Sequence, residues 1–110
     1  MNDRELLELA AKACGWTAGF ITNDAAPDVV LGVMVDTGDK IFGPWNPLTD
    51  DGDALRLAVK LNLSVDRFLS QGVWSGQQPN SMVHEFDYDD PYAATRRAIV
   101  RAAAEIGKLM

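Results

Sequence analysis

The sequence predicts a small α+β domain, a layered α/β/α sandwich in which three helices cover a small, mostly antiparallel sheet. Three observations lead there. Residues 3–13 and 91–108 repeat apolar side chains at helical spacing and carry helix start signals. The run from Val29 to Val35 is apolar without a break and rich in β-branched residues, as a strand covered on both faces would be. Residues 50–61 read as a helix that is apolar around most of its circumference and must be packed over most of its surface. The expected order is α-β-β-α-β-β-α, with an optional extra strand early in the chain.

The first helix covers about residues 3–13, with Asn2 as cap, Glu5 three residues on, and Leu6, Leu9, Ala10 and Ala13 as its buried stripe. Gly15 supplies a stop. Trp16 to Thr22 is the optional strand, and Asn23-Asp24-Ala25-Ala26-Pro27 reads as a turn or loop. After Val29–Val35, Asp36-Thr37-Gly38-Asp39 is turn chemistry and Lys40-Ile41-Phe42 can return antiparallel. Gly43-Pro44 ends that strand, because proline cannot donate to a ladder.

Thr49 or Asp50 caps the second helix, and Asp50, Asp51 and Asp53 sit where the helix dipole favours negative charge. Only Asp53, Arg56 and Lys60 form a polar strip, so the helix is expected to lie across the sheet beside another helix. Leu63 to Leu69 begins with alternation and reads as a strand; Ser70 to Ser81 reads as a polar loop holding the isolated pair Val73-Trp74. Met82 to Phe86 can form the last strand. Asp87-Tyr88-Asp89-Asp90 then leads into the third helix, which starts at Pro91 and runs to about Lys108. No internal repeat, linker or low-complexity stretch is visible, so residues 1–110 make one domain.

Composition narrows the function classes. The net charge is −6, unevenly placed: residues 1–53 carry 3 basic and 10 acidic groups, residues 54–110 carry 7 and 6. That balance argues against nonspecific duplex binding, which needs Lys and Arg to neutralise phosphates. The single cysteine, Cys14, excludes an intrachain disulfide and fits a reducing compartment, so a cytoplasmic location is expected. Asn2-Asp3-Arg4-Glu5 is no signal-peptide opening, and no apolar run approaches the ~20 residues that span a bilayer.

Two stretches carry a resemblance. The first runs from Trp45-Asn46-Pro47-Leu48-Thr49-Asp50-Asp51-Gly52-Asp53 into Ala54-Leu55-Arg56-Leu57-Ala58-Val59-Lys60-Leu61. The second is Ala94-Thr95-Arg96-Arg97-Ala98-Ile99-Val100-Arg101-Ala102-Ala103-Ala104-Glu105-Ile106-Gly107. Together with the opening helix, and in the same order over most of the chain, the text resembles the phage ABA-sandwich family of small phage and prophage proteins. The resemblance implies an α/β/α sandwich and a phage or prophage origin. It implies no activity. The chain departs from the family pattern between Phe68 and Met82, where its loop is long and polar.

Each candidate site competes with a plainer reading. Capping and packing account for every residue type in Trp45–Asp53. A cation site on Asp50, Asp51 and Asp53 lacks the EF-hand glycine and late Glu. Exposed, Trp45 beside Asp50 and Asp51 would make a partner patch; buried, it would not. Arg96, Arg97 and Arg101 make the third helix locally basic, but abundant carboxylates offer partners, among them Glu105 four residues after Arg101 and Asp87, Asp89 and Asp90 near the helix start. His84 and Glu85 are adjacent on a strand and point to opposite faces, so they form no local dyad. One His and one Cys are too few for a closed zinc site, and a Cys14–His84 catalytic pair would have to meet in space. Trp74 either folds back onto the core or waits for a partner, a symmetric dimer included.

The expectation is a small phage accessory protein without catalytic activity or cofactor, acting by protein–protein contact in the host cell. Trp45, Asp50, Asp51, Trp74, Arg97 and Arg101 are its candidate interaction residues. One version is an acidic inhibitor that occupies a basic surface on a host protein. The alternatives are a small-ligand or nucleotide-binding domain, possibly enzymatic, walled by Trp45–Asp53 with His84 and Arg97, and a virion or assembly component.

Overall fold

A computed structural model describes residues 1–68, 72–77 and 81–110. Three helices and six strands follow one another as α1 (Asp3–Ala13), β1 (Thr17–Asn23), β2 (Ala26–Asp36), β3 (Ile41–Phe42), α2 (Asp51–Lys60), β4 (Ser64–Phe68), β5 (Gly72–Gln77), β6 (Ser81–Glu85) and α3 (Pro91–Lys108). The α+β class with three helices and antiparallel pairing is as the sequence implies. The strands, however, form two three-stranded sheets, β1-β2-β3 and β4-β5-β6, rather than one. The order is therefore α-β-β-β-α-β-β-β-α.

All three helices begin as their sequences require. The Asn2, Asp50 and Asp90 side chains accept backbone N–H groups of Glu5, Asp53, and Tyr92 with Ala93, at distances of 2.8–3.1 Å. Each therefore satisfies donors that the first turn leaves without an intrahelical partner. The optional early strand is β1, which pairs along β2 from Thr17↔Asp36 to Asn23↔Ala26. The turn expected at residues 23–27 is thus tighter, since both its ends belong to the ladder.

The main core joins α1, α2, α3 and the first sheet through Leu6, Leu7, Val33, Val35, Trp45, Leu57, Ile99 and Val100. Trp45 is 3% exposed, held edge-on to Trp16 with ring centroids 6.2 Å apart. Where α1 crosses α3, a Cβ on Gly107 would lie 2.1 Å from the Leu9 carbonyl oxygen. Only glycine permits that approach, and the alanines of α3 keep the rest of the crossing close. The second sheet packs against α3 through a smaller cluster of Val73, Ala94 and Ala98.

Two sequence expectations need correction. Part of the polar loop at Ser70–Ser81 is strand β5, the centre of the second sheet; residues 69–71 and 78–80 of that stretch and its approach lie outside the described residues. Composition hides the strand because Gly72, Ser75, Gly76 and Gln77 have low β propensity. Tertiary packing overrides it: Val73 and Ser75 are fully buried, and a Cβ on Gly72 (φ +102°) would sit 2.1 Å from the Glu85 carbonyl oxygen. The second correction concerns α2. It is not packed over most of its surface, for Leu55 and Val59 are 64% and 72% exposed. The helix presents Ala54, Leu57 and Ala58 to the core, and nothing among the described residues covers the next stripe around its circumference.

A candidate protein-docking surface

The carboxylates around the start of α2 are occupied in structural roles. Asp50 caps the helix. Asp51 receives the Arg96 guanidinium at 2.6 Å, while Arg96 Nε donates to the Leu48 carbonyl at 2.9 Å. Asp53 accepts the Asn46 backbone N–H at 2.9 Å and Arg56 at 2.8 Å. Together these bonds fix the loop that carries Trp45 into the core. Among the described residues no group of three His, Cys, Asp or Glu side chains could hold a metal ion. Trp45, being buried, cannot anchor a partner, so the patch expected beside Asp50 and Asp51 is absent.

The arginines of α3 also find protein partners, though not the expected ones. Arg97 reaches Asp3 on α1 at 3.1 Å. Arg101 reaches Glu85 at 2.6 Å and the His84 carbonyl at 2.7 Å, not Glu105, which pairs with Lys108. The Asp87 carboxylate goes instead to Arg67 on β4, in a two-pronged contact of 2.7 and 2.9 Å. That hydrogen bonding holds the Asp87 carboxyl below its ordinary range and raises the Arg67 guanidinium. Arg97 and Arg101 do share a polar cleft of about 410 Å³ with Glu85 and Glu105.

His84 and Glu85 lie on opposite faces, as strand alternation requires: Glu85 meets Arg101 of α3, while the His84 ring sits 4.7 Å from Trp74 on the outer face. Trp45 in the core, His84 on that outer face and Arg97 in the α1–α3 cleft line no common pocket among the described residues. The ligand wall drawn from the sequence is therefore not assembled. Cys14 is half-buried, and burial pushes its thiol up to about 11, opposed by nearby Lys60. Such a thiol is a poor nucleophile at neutral pH.

The surface that sequence reasoning missed lies on the second half of the molecule. A groove of about 660 Å³ runs between α2, β4 and the first half of α3. Ala54, Ala58 and Ile99 are its buried residues; Leu55, Val65 and Tyr92 are exposed along it. Its polar lining includes Asp51–Arg96 and Arg67, whose charges are already matched within the chain. Beyond the sheet edge, the outer face carries Trp74 (38% exposed) tilted against His84, then Phe86 at 4.6 Å from His84 and Tyr88 at 6.1 Å from Phe86. The sequence did contain the signal for the groove. α2 has too many apolar residues for one buried face, a pattern that fits a helix with an uncovered side as well as one packed all round.

The fold and this surface together define an α+β protein with an apolar groove open beside its second sheet. Comparison with known proteins found no matching family model, no matching curated protein and no matching solved structure.

Proposed function

We propose that this chain is a small phage- or prophage-encoded accessory protein that works in the host cell by protein–protein contact, without catalysis of its own. The observation that carries the reading is the groove. Leu55, Val65 and Tyr92 stand exposed around a buried apolar floor of Ala54, Ala58 and Ile99, an arrangement suited to receiving apolar side chains of a partner. The phage origin rests on the resemblance of residues 45–61 and 94–107. Nucleic acid is disfavoured as the partner, because Arg96, Arg97 and Arg101 each engage a carboxylate and the chain carries −6 overall. No helix among the described residues is long and apolar enough to cross a membrane.

Selection from a displayed random-peptide library tests the groove directly. Peptides recovered on the wild-type protein should lose binding to a Leu55→Glu, Val65→Glu double variant, whose changes lie at exposed positions and leave the fold intact. A selection that yields only peptides indifferent to those changes would reject the groove as the working surface.

A further inference from the structure

The groove does not end at side chains. β4 pairs only with β5, so its other edge carries backbone N–H and C=O groups with no ladder partner among the described residues. Val65 to Phe68 are all exposed, which leaves that edge open. Edge strands are ordinarily blunted by proline, lysine, bulges or cover. β4 has no proline or lysine, and its register with β5 runs unbroken from Ser64↔Gly76 to Phe68↔Gly72. Its inward charge, Arg67, is drawn back onto Asp87 and Thr95. Meanwhile α3 packs chiefly over β5 and β6, so the groove lies directly beside the open edge.

Resting on the reading of the groove as a protein-docking site, we propose that its occupant is an extended segment of another protein, added to β4 as a fourth strand, apolar at alternate residues and basic between them. A strand placed about 4.8 Å beyond β4 directs every second side chain to each face of the sheet. On the helix side those side chains meet Leu55, Ala58 and Tyr92. On the outer side they meet Asp66, which has no ion pair among the described residues and whose cross-strand neighbour is the exposed Trp74. A lysine or arginine there places its charge at Asp66 and its stem along Trp74. The net charge of −6 of the whole chain favours the approach of a basic segment, while Asp66 sets where its charge is held.

A second copy fits the edge less well. Antiparallel pairing of two β4 strands centred on Asp66 or on Arg67 sets like charges directly opposite. Centred on Val65, it pairs Phe68 with Asn62, which has left-handed backbone (φ 54°) and lies outside the strand.

The test uses three synthetic heptapeptides: one alternating lysine with valine or isoleucine, one with glutamate in place of lysine, and one with the lysine peptide's composition rearranged to helical spacing. Fluorescence anisotropy should show the rearranged and acidic peptides binding about tenfold or more weakly than the alternating basic one. Amide exchange should slow within residues 64–68 on binding, and Asp66→Lys should transfer the preference to the glutamate peptide. Tighter binding of the rearranged peptide overturns strand addition while leaving the groove as a helix-docking site. Failure of all three overturns the inference alone, since the library selection judges the groove separately. Protection of the β4 edge in a peptide-free dimer would assign it to a second copy and overturn the proposal too.

Discussion

The units α1-β1-β2-β3 and α2-β4-β5-β6 share an order of elements, and each begins with an Asn- or Asp-capped helix of ten or eleven residues. They close themselves differently. α1 buries Leu6 and Leu7 and fits against α3 so tightly that Gly107 is needed opposite Leu9. α2 buries Leu57 but leaves Leu55 and Val59 in water. The first unit supplies Leu6, Leu7, Val33 and Val35 to the main core around Trp45, whereas the second sheet meets α3 through the small cluster of Val73, Ala94 and Ala98 and is tied to its surroundings by Arg67–Asp87 and Arg101–Glu85. Burial holds the first half, while paired charge carries more of the second. Exposed apolar area on a helix whose counterpart is covered points to a surface that something else completes.

Trp45 sits within the core that holds the first half together. Trp45→Ala should cost about 3–5 kcal/mol in urea unfolding, because it empties the centre of the shared core beside Trp16. A loss below about 1 kcal/mol would mean that the first half does not depend on that burial.

Leu7→Ala on α1 should cost about 2–5 kcal/mol, whereas Leu55→Ala on α2 should change stability by no more than about 0.5 kcal/mol. Equal losses would show that Leu55 is covered in solution and would remove the groove.

These contrasts also mark what could be read from the chain. The three caps, the helix limits and the Val33–Val35 core follow from residue type and spacing, which act locally. Composition could not distinguish a helix packed on all sides from α2, since exposure of Leu55 and Val59 depends on what stands opposite them in space. Nor could it show β5, whose Gly72 and Ser75 are set by contact with β6 and α3. The carboxylates near Trp45 were visible as caps, but the partners of Arg97 and Arg101 were not, because Asp3 and Glu85 lie far off in sequence.

Ser75 gives a smaller effect of opposite sign. Its hydroxyl is fully buried in β5, with no hydrogen-bond partner among the described residues. Ser75→Ala should therefore stabilise the protein by about 1 kcal/mol, since it removes a desolvated polar group at nearly constant volume. Destabilisation of that size would reveal a partner for the hydroxyl and a better satisfied second half than the geometry shows.

The smallest expected effect concerns the clamp between β4 and the start of α3. Because Arg67 holds the Asp87 carboxyl below its ordinary value, the folded state binds the Asp87 proton less readily than the unfolded chain. Its contribution is fully present above the unfolded carboxylate pKa of about 3.9 and is lost as pH falls through the lower folded value. Both groups are solvent-exposed enough that salt weakens the contact as well. Unfolding of wild type and Asp87→Asn across a pH series should show a small, constant gap near neutrality that closes below about pH 4. Exchange at β4 and β5 amides should then rise while α1 amides stay protected, because acid and salt loosen charge pairing and leave the apolar α1–α3 contact in place. A gap that widened in acid, or an α1 that opened together with β4, would mean that one shared core sets the stability of both halves.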